Sequence, residues 1–332
     1  MGEAGVSTPG SETRGGRSRV IVAAFPSNET SVALAAAWRE LGALAELVPP
    51  PAVRGGLRSG DVVLGRLDVL PTLDGVEPGL FELLRLERRG VRVLNTASAL
   101  LGCHDKLRTA RVLDRAGLPT PRTAHVTRED PVPRLAPPLV VKARFGSWGK
   151  DVFRCETVEA LDRCLAEVRS RPWFVRHGAL VQELIEPRGH DIRIVVAGGR
   201  VVGVTERFAA PGEWRTNISL GGSRRPCSPL PEAVALALAA AAAIGGDLVG
   251  VDLLPLDGGY TILELNGAVE FDREYSLPGR DCYVDVFDSL GLPLRGGALR
   301  VGPGDGVDER LHRDVHRPDH DRGADVRPEP VH

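Results

Sequence analysis

The chain has 332 residues, 42% of them hydrophobic and 26% charged, with a formal net charge of −2. That length suits two or three modest domains around one or two cores. The near-neutral balance excludes a generic nucleic-acid binder and a basic membrane anchor.

Targeting signals are absent from the pattern. The N-terminal segment is polar with no apolar core of a signal peptide, and Met-Gly-x-x-x-Val lacks the Ser or Thr of a myristoylation signal. The longest apolar run, Ala233 to Ile244, is too short to span a bilayer and reads as an Ala-rich buried helix. Cys103, Cys155, Cys164, Cys227 and Cys282 are scattered with no C-x-x-C pair. This argues against a disulfide framework or zinc site and for a reducing, cytoplasmic setting.

In chain order, residues 1–17 predict disorder. "RVIVAAF" then predicts a buried strand, followed by a helix over "SVALAAAWRELGA" that ends at Gly42. "DVVLGRL" predicts a strand, "GLFELLRLERRG" an amphipathic helix and "VRVLN" a strand. This alternation over residues 18–100 argues an open α/β layer with a parallel sheet. No G-x-G-x-x-G follows the first strand, which disfavours a dinucleotide site. "DKLRTARVLDRAGLP" predicts a helix with Asp105 as N-cap and Gly117 and Pro119 as stops. "PLVVKARFGSWGKDVFRC" reads as strand, glycine loop and strand, and "TVEALDRCLAEVRS" as a helix with Leu161, Cys164, Leu165 and Val168 on one face. Hairpins follow at Gly198-Gly199 and in "PLDGGYTI", giving a mixed α+β second half. From Gly302 the chain is charged and rich in Pro and Gly, which predicts disorder. His312, His316 and His320 there read as a solvated tail, with opportunistic metal binding as the alternative.

Several residues could carry chemistry. In "ILELNGAVEF", Leu263 and Leu265 are expected on one strand face and Glu264 and Asn266 on the other. If "GVDLL" is the neighbouring strand, Asp252 lies across from Glu264. Two carboxylates and an amide oxygen then form a hard-oxygen set suited to Mg²⁺. Lys106 begins a helix, and Lys142 ends an apolar strand before "GSWGK", where backbone N–H groups and lysines could cradle phosphates. Gln182 and Glu183 could meet an adenine edge and a ribose. Asp191, Arg193, Arg207, Arg215 and Asn217 precede Gly221-Gly222, and arginines beside an anion cradle suit a transferring phosphoryl group. Taken singly, each has a plainer alternative: an exposed acidic strand face, a hairpin loop with surface lysines, or an ordinary strand. The histidines lie in no nucleophile-elbow context.

Taken together and in order, "VLNTASALLGCHDKLRTARVLDRAGLPTPRT", "LVVKARFGSWGKD", "LVQELIEPRGHDIRIVV", "ERFAAPGEWRTNISLGG", "GVDLL" and "ELNGAVEF" resemble the ATP-grasp superfamily. More narrowly they resemble its RimK/LysX branch of carboxylate–amine ligases. The resemblance implies the ATP-grasp fold: an N-terminal α/β (pre-ATP-grasp) domain at 18–100, a small central lid at 101–178 and a C-terminal catalytic domain at 179–300. The disordered tail would then be 301–332. By position it implies that Lys106, Lys142, Gln182, Glu183, Leu184, Asp191 and Arg193 contact ATP, with Gly146, Ser147, Trp148 and Gly149 forming the loop over its phosphates. It implies Asp252, Glu264 and Asn266 as Mg²⁺ ligands, with Mn²⁺ as an alternative metal. Arg207, Arg215 and Asn217 would meet the γ-phosphate and an acyl-phosphate intermediate, and Gly221, Gly222, Glu270 and Phe271 the substrate.

The implied activity is ADP-forming ligation of a carboxylate to an amino-acid amine. "GSWG" and the Glu270-Phe271 pair lean toward the LysX type, whose acceptor is the C-terminal Glu of a small acidic carrier protein. A glutathione-synthetase-like peptide ligase, a ribosomal-protein glutamate ligase and a non-catalytic ATP-binding protein are the alternatives. No nucleic-acid or membrane partner is expected, and the family habit implies a homo-oligomer, dimer or tetramer.

Overall fold

The computed structural model describes residues 18–294 except 54–55, 58–59 and 130–134. The N-terminal segment 1–17 and the charged tail with its three histidines lie outside the described residues.

The first layer is the expected α/β unit. It runs β1 (Arg19–Ala23), α1 (Glu29–Glu40), β2 (Leu44–Val48), β3 (Val62–Gly65), α2 (Leu80–Arg88), β4 (Arg92–Leu94) and α3 (Ala97–His104). The strands form one parallel sheet in the order β2-β1-β3-β4. β1 and β3 are buried on both faces, as apolar runs covered by crossover helices should be. α1 opens where Asn28 accepts from the Ser31 amide at 2.9 Å.

The second layer holds α4 (Lys106–Arg115), β5 (Thr123–Val126), β6 (Leu139–Ala143), β7 (Val152–Cys155), α5 (Val158–Val168), α6 (Pro172–His177) and β8 (Ala179–Glu183). Its sheet is antiparallel, ordered β5-β8-β6-β7. β8 therefore belongs with this sheet, which extends past the boundary at 178 expected from the sequence. Alternation sorts its side chains. Leu139, Val141, Ala143, Ala179 and Val181 join α5 and α6 in a core, while Val140, Lys142 and Gln182 face the other way.

The third layer has β9 (His190–Ala197), β10 (Arg200–Phe208), β11 (Ser223–Pro226), α7 (Pro231–Ile244), β12 (Leu248–Leu256), β13 (Gly259–Asn266) and α8 (Cys282–Ser289). The five strands pair antiparallel in the order β11-β10-β9-β12-β13. Ile192, Ile194, Val196, Val249, Val251 and Leu253 point to one face and pack on the alanine stripe of α7, Ala233, Ala237, Ala240 and Ala241. The opposite face is divided along its length. At one end Val195, Ala197 and Leu248 bury against α1 and α8, where Trp38 meets Phe287 edge-on at 6.0 Å. At the other end the same alternation presents Asp191, Arg193 and Asp252.

One strand departs from the expected pattern. The β12–β13 register pairs Asp252 with Glu264 and Leu253 with Ile262, so β13 carries a bulge at Leu263. The extra residue turns Leu263 out of the core: Ile262 and Leu265 are buried against α7, whereas Leu263 lines the cleft with Glu264. The simple period of two fails there for that reason. All five cysteines are free. Among the described residues, no helix is long and apolar enough to cross a membrane.

Candidate active site

An open cleft with about 970 Å³ of empty space lies between the outward face of the β5-β8-β6-β7 sheet and the charged face of the five-stranded sheet. Each wall places its residues for a local reason. Asp105 caps α4, accepting from the amides of Leu107 at 3.2 Å and Arg108 at 3.3 Å. The same carboxylate receives both arms of Arg144 at 2.7 and 2.5 Å. Since the Lys106 amide also donates to the Arg144 carbonyl at 3.1 Å, the start of α4 is tied to the end of β6. Lys106 then reaches across to Glu264, Nζ to Oε2 at 2.6 Å.

Lys142 projects from β6 into the same cleft. It is 6% exposed and donates to Gln182 Oε1 at 2.7 Å, and Gln182 in turn donates to Thr123 Oγ1 at 2.8 Å. Burial, and after it the nearby Lys106 charge, lowers its ammonium pKa to about 8. Leu184, Ile185, Val140, Leu254 and Leu263 supply apolar surface between these polar ends.

Across β10, β9, β12 and β13 runs a ladder of alternating charge. Arg207 grips Asp191 with two hydrogen bonds at 2.7 and 2.6 Å and reaches Asp252 at 2.9 Å. Arg193 grips Asp252 with two more at 2.7 Å each. Asp191 also accepts from Thr216 Oγ1 at 2.5 Å. Burial alone would push the Asp252 carboxyl up, but Arg193 and Arg207 together hold it well below the usual carboxylate range. Glu264 is likewise held low, its burial outweighed by Lys106. Both carboxylates are therefore ionised at neutral pH. Asn266 follows on the same strand, and its buried Nδ2 has no hydrogen-bond partner.

The glycine loop closes over this face. Arg215, paired with Glu213 at 2.7 Å, donates to the Gly149 carbonyl at 2.7 Å, and Ser219 Oγ donates to the Trp148 carbonyl at 3.0 Å. Gly149 sits at φ 67°, and a Cβ there would stand 2.8 Å from both Asn217 Oδ1 and Leu220 Cδ1. Only glycine lets the two loops meet this closely.

The fold thus brings Lys106, Lys142, Gly146, Ser147, Trp148, Gly149, Gln182, Glu183, Leu184, Asp191, Arg207, Arg215, Asn217, Asp252 and Glu264 to one cleft. Arg193, Asn266 and Glu270 line an adjoining chamber. Three residues expected at the substrate lie elsewhere. Phe271 is 3% exposed, tilted against Tyr283 at 5.8 Å, with its backbone tied to Thr30 Oγ1, so it serves the core. Gly221 and Gly222 line neither cavity. They turn the chain after Ser219, and a Cβ on Gly222 would lie 2.8 Å from the Phe208 carbonyl. Sequence reasoning missed Trp214, Thr216, Asp68 and His104. Thr216 stands beside Arg215 and Asn217 in the quoted motif, but Asp68 follows β3 and His104 ends α3, and no local pattern ties them to this face.

Comparison with known proteins gives the same answer. The RimK-like ATP-grasp domain family matches residues 103–285. A probable alpha-L-glutamate ligase of Pseudomonas paraeruginosa is 34% identical over 231 residues, covering 68% of this chain and 74% of that protein. The tetrahydromethanopterin:alpha-L-glutamate ligase of Methanosarcina acetivorans is 35% identical over 214 residues, 59% of this chain and 66% of that one. In fold, the chain resembles a RimK domain ATP-grasp protein of Sphaerobacter thermophilus, with a TM-score of 0.59 and 21% identity over 82% of this chain and 99% of that one. It also resembles the D-alanine–D-alanine ligase of Bacillus anthracis, with a TM-score of 0.58 and 16% identity over 83% and 96%. Fold and site together define an ATP-grasp carboxylate–amine ligase. Within that class, the chain belongs to the RimK-like family.

Proposed function

We propose that this ligase uses ATP to activate a carboxylate as an acyl phosphate, which an amino-acid amine then displaces to give an amide, ADP and phosphate. The observation that carries it is the convergence of Lys106, Lys142 and Arg207 with Asp252 and Glu264 on one cleft beneath a glycine loop. Lys106 and Lys142 are assigned to the phosphates, and Gln182, Glu183 and Leu184, with Asp191 nearby, to adenine and ribose. Arg207, Arg215 and Asn217 face the transferred phosphoryl group and stabilise its oxyanions. Residues 18–100 act as the pre-ATP-grasp unit, and the β5-β8-β6-β7 sheet acts as the lid.

The donor set suits Mg²⁺. Asp252 and Glu264 are opposite each other and ionised, and the unpartnered amide of Asn266, turned by half, offers an oxygen. When bound, Mg²⁺ supplies charge neutralisation at the transferring phosphoryl group. The contacts of Arg215 and Ser219 hold the glycine loop over the cleft, where it would shield the activated carboxyl from hydrolysis. The carboxylate is assigned as a glutamyl group, with the C-terminal Glu of a small acidic carrier as the first candidate.

The test is ADP release on mixing the protein with ATP, Mg²⁺, pooled amino acids and glutamyl carboxylate donors. Release should need both the donor and the amine, and should vanish in Asp252→Ala and Glu264→Ala. ATP binding without turnover across the panel would instead mark a non-catalytic nucleotide-binding protein.

A further inference from the structure

Beyond Ser147, Trp148, Arg207, Asn217 and Glu264, which it shares with the ATP cleft, lies a second, open chamber with about 870 Å³ of empty space. Its far wall comes from Asp68, which follows β3, and His104, which ends α3, and its near wall from Arg193, Arg224 and Glu270.

The charges in this chamber do not balance. Every arginine lining it is already engaged: Arg193 by Asp252, Arg207 by Asp191 and Asp252, and Arg224 by Asp272 and Glu274. Asp68 and Glu270, by contrast, make no ion pair among the described residues. Arg66 lies wholly buried near them, likewise with no ion pair among the described residues, held by Ser31 Oγ at 2.8 Å and the Val269 carbonyl at 2.6 Å and with its Nη1 unpartnered, so its one positive charge offsets only part of the charge of the two carboxylates. Asp68 is half-buried and Glu270 is exposed; partial loss of hydration, and for Glu270 also the Asp68 charge, raises both carboxyls above their ordinary range. A second, independent feature points the same way. His104 is 4% exposed, lines the chamber, and leaves its Nε2 buried without a hydrogen-bond partner. Burial and then Lys106 lower the imidazole to about 4, so at neutral pH it is uncharged and adds no positive charge of its own.

Two carboxylates without an ion pair and a neutral imidazole whose Nε2 is unpartnered, beside the phosphoryl site, suit a ligand that arrives with an ammonium group. Resting on the ligase function proposed above, we infer that this chamber is the amine subsite. Asp68 and Glu270 hold the ammonium, and amines without a side-chain carboxylate are selected over glutamate. An added acidic side chain would enter a chamber whose lining arginines are all occupied and where two unpaired carboxylates outnumber the one unpaired guanidinium nearby, Arg66.

Calorimetry on the full chain tests this, with a non-hydrolysable ATP analogue and Mg²⁺ present and alanine, lysine or glutamate as titrant. Alanine and lysine should bind about tenfold or more tightly than glutamate. Asp68→Asn and Glu270→Gln should each weaken lysine and alanine about tenfold and narrow the gap to glutamate. Affinity for the nucleotide analogue and the thermal midpoint are expected to hold, which separates a lost subsite from a lost fold. Glutamate binding as tightly as alanine and lysine, unchanged affinities in both variants, or no binding of any amine would overturn the assignment. If the nucleotide analogue also fails to bind, the ligase function falls too; if it binds, only the subsite does.

Discussion

Asn95 offers the sharpest test of how the fold builds the site. It follows β4, is 1% exposed and sits at φ 51°. Its side chain uses four hydrogen-bonding positions. Nδ2 donates to the carbonyls of Leu248 at 2.7 Å and Gly267 at 3.0 Å, and Oδ1 accepts from the amides of Asp247 at 2.8 Å and Leu248 at 2.9 Å. One amide thus joins the parallel sheet to the start of β12 and to the residue after Asn266. Asn95→Ala leaves these backbone groups buried and unpaired. At about 1 kcal/mol each, the loss is about 4 kcal/mol. A left-handed Ala adds roughly 1 kcal/mol. The total of about 5 kcal/mol should lower the thermal midpoint by roughly 10 °C or more. Asn95→Gly removes only the backbone share and should recover about 1 kcal/mol. Asn95→Asp keeps the acceptor but turns a second oxygen on the Leu248 and Gly267 carbonyls and buries a charge beside Asp247, so it should lose at least as much as Ala. Urea unfolding and thermal melts followed by circular dichroism read all three. An Ala variant within about 1 kcal/mol of the parent would refute the reasoning, since that is the worth of a single such bond.

Other expectations follow from the same geometry. Phe271→Ala should cost about 3–5 kcal/mol of stability and leave the ranking of amine substrates unchanged. A shifted ranking at unchanged stability would return Phe271 to the substrate. Lys142 is an ammonium below about 8, so nucleotide affinity should fall as pH rises through that value, and Lys142→Met should bind weakly with no such inflection. In the same window the unfolded chain, with its lysine near 10.5, holds the extra proton. Stability should therefore rise from about pH 8 upward in the parent relative to Lys142→Met. Gly149→Ala should part the glycine loop from Asn217 and raise ADP release per amide formed. Unchanged coupling would mean the loop does not guard the activated carboxyl.

Much of the site was legible because its residues sit on strands with clear alternation. Asp191 and Arg193 flank Ile192 on β9, and Asp252 falls between Val251 and Leu253 on β12, so polar and apolar faces separate by counting in twos. Where the backbone breaks that count, the sequence misleads: the bulge at Leu263 moves it to the cleft with no composition change to announce it. Phe271 is expected at the substrate only through the resemblance, and its partners Tyr275 and Tyr283 come from the following turn and α8, beyond the quoted motif. Elements also escaped notice for physical reasons. α3 is buried nearly all round and lacks an amphipathic period, α6 spans only 6 residues, and β2 is a short edge strand. Asp68 and His104 could not be assigned at all, because the parallel sheet brings them to Glu270 across about half the chain.

The route through an activated carboxyl can be followed by its oxygen atoms. With a donor found to support ADP release, both carboxyl oxygens are labelled with ¹⁸O, and the phosphate formed in a single turnover is weighed by mass spectrometry. Attack of the carboxylate on the γ-phosphate carries one labelled oxygen into each phosphate released with ADP. Unlabelled phosphate alongside amide product, or AMP and pyrophosphate in place of ADP, would contradict the acyl-phosphate route.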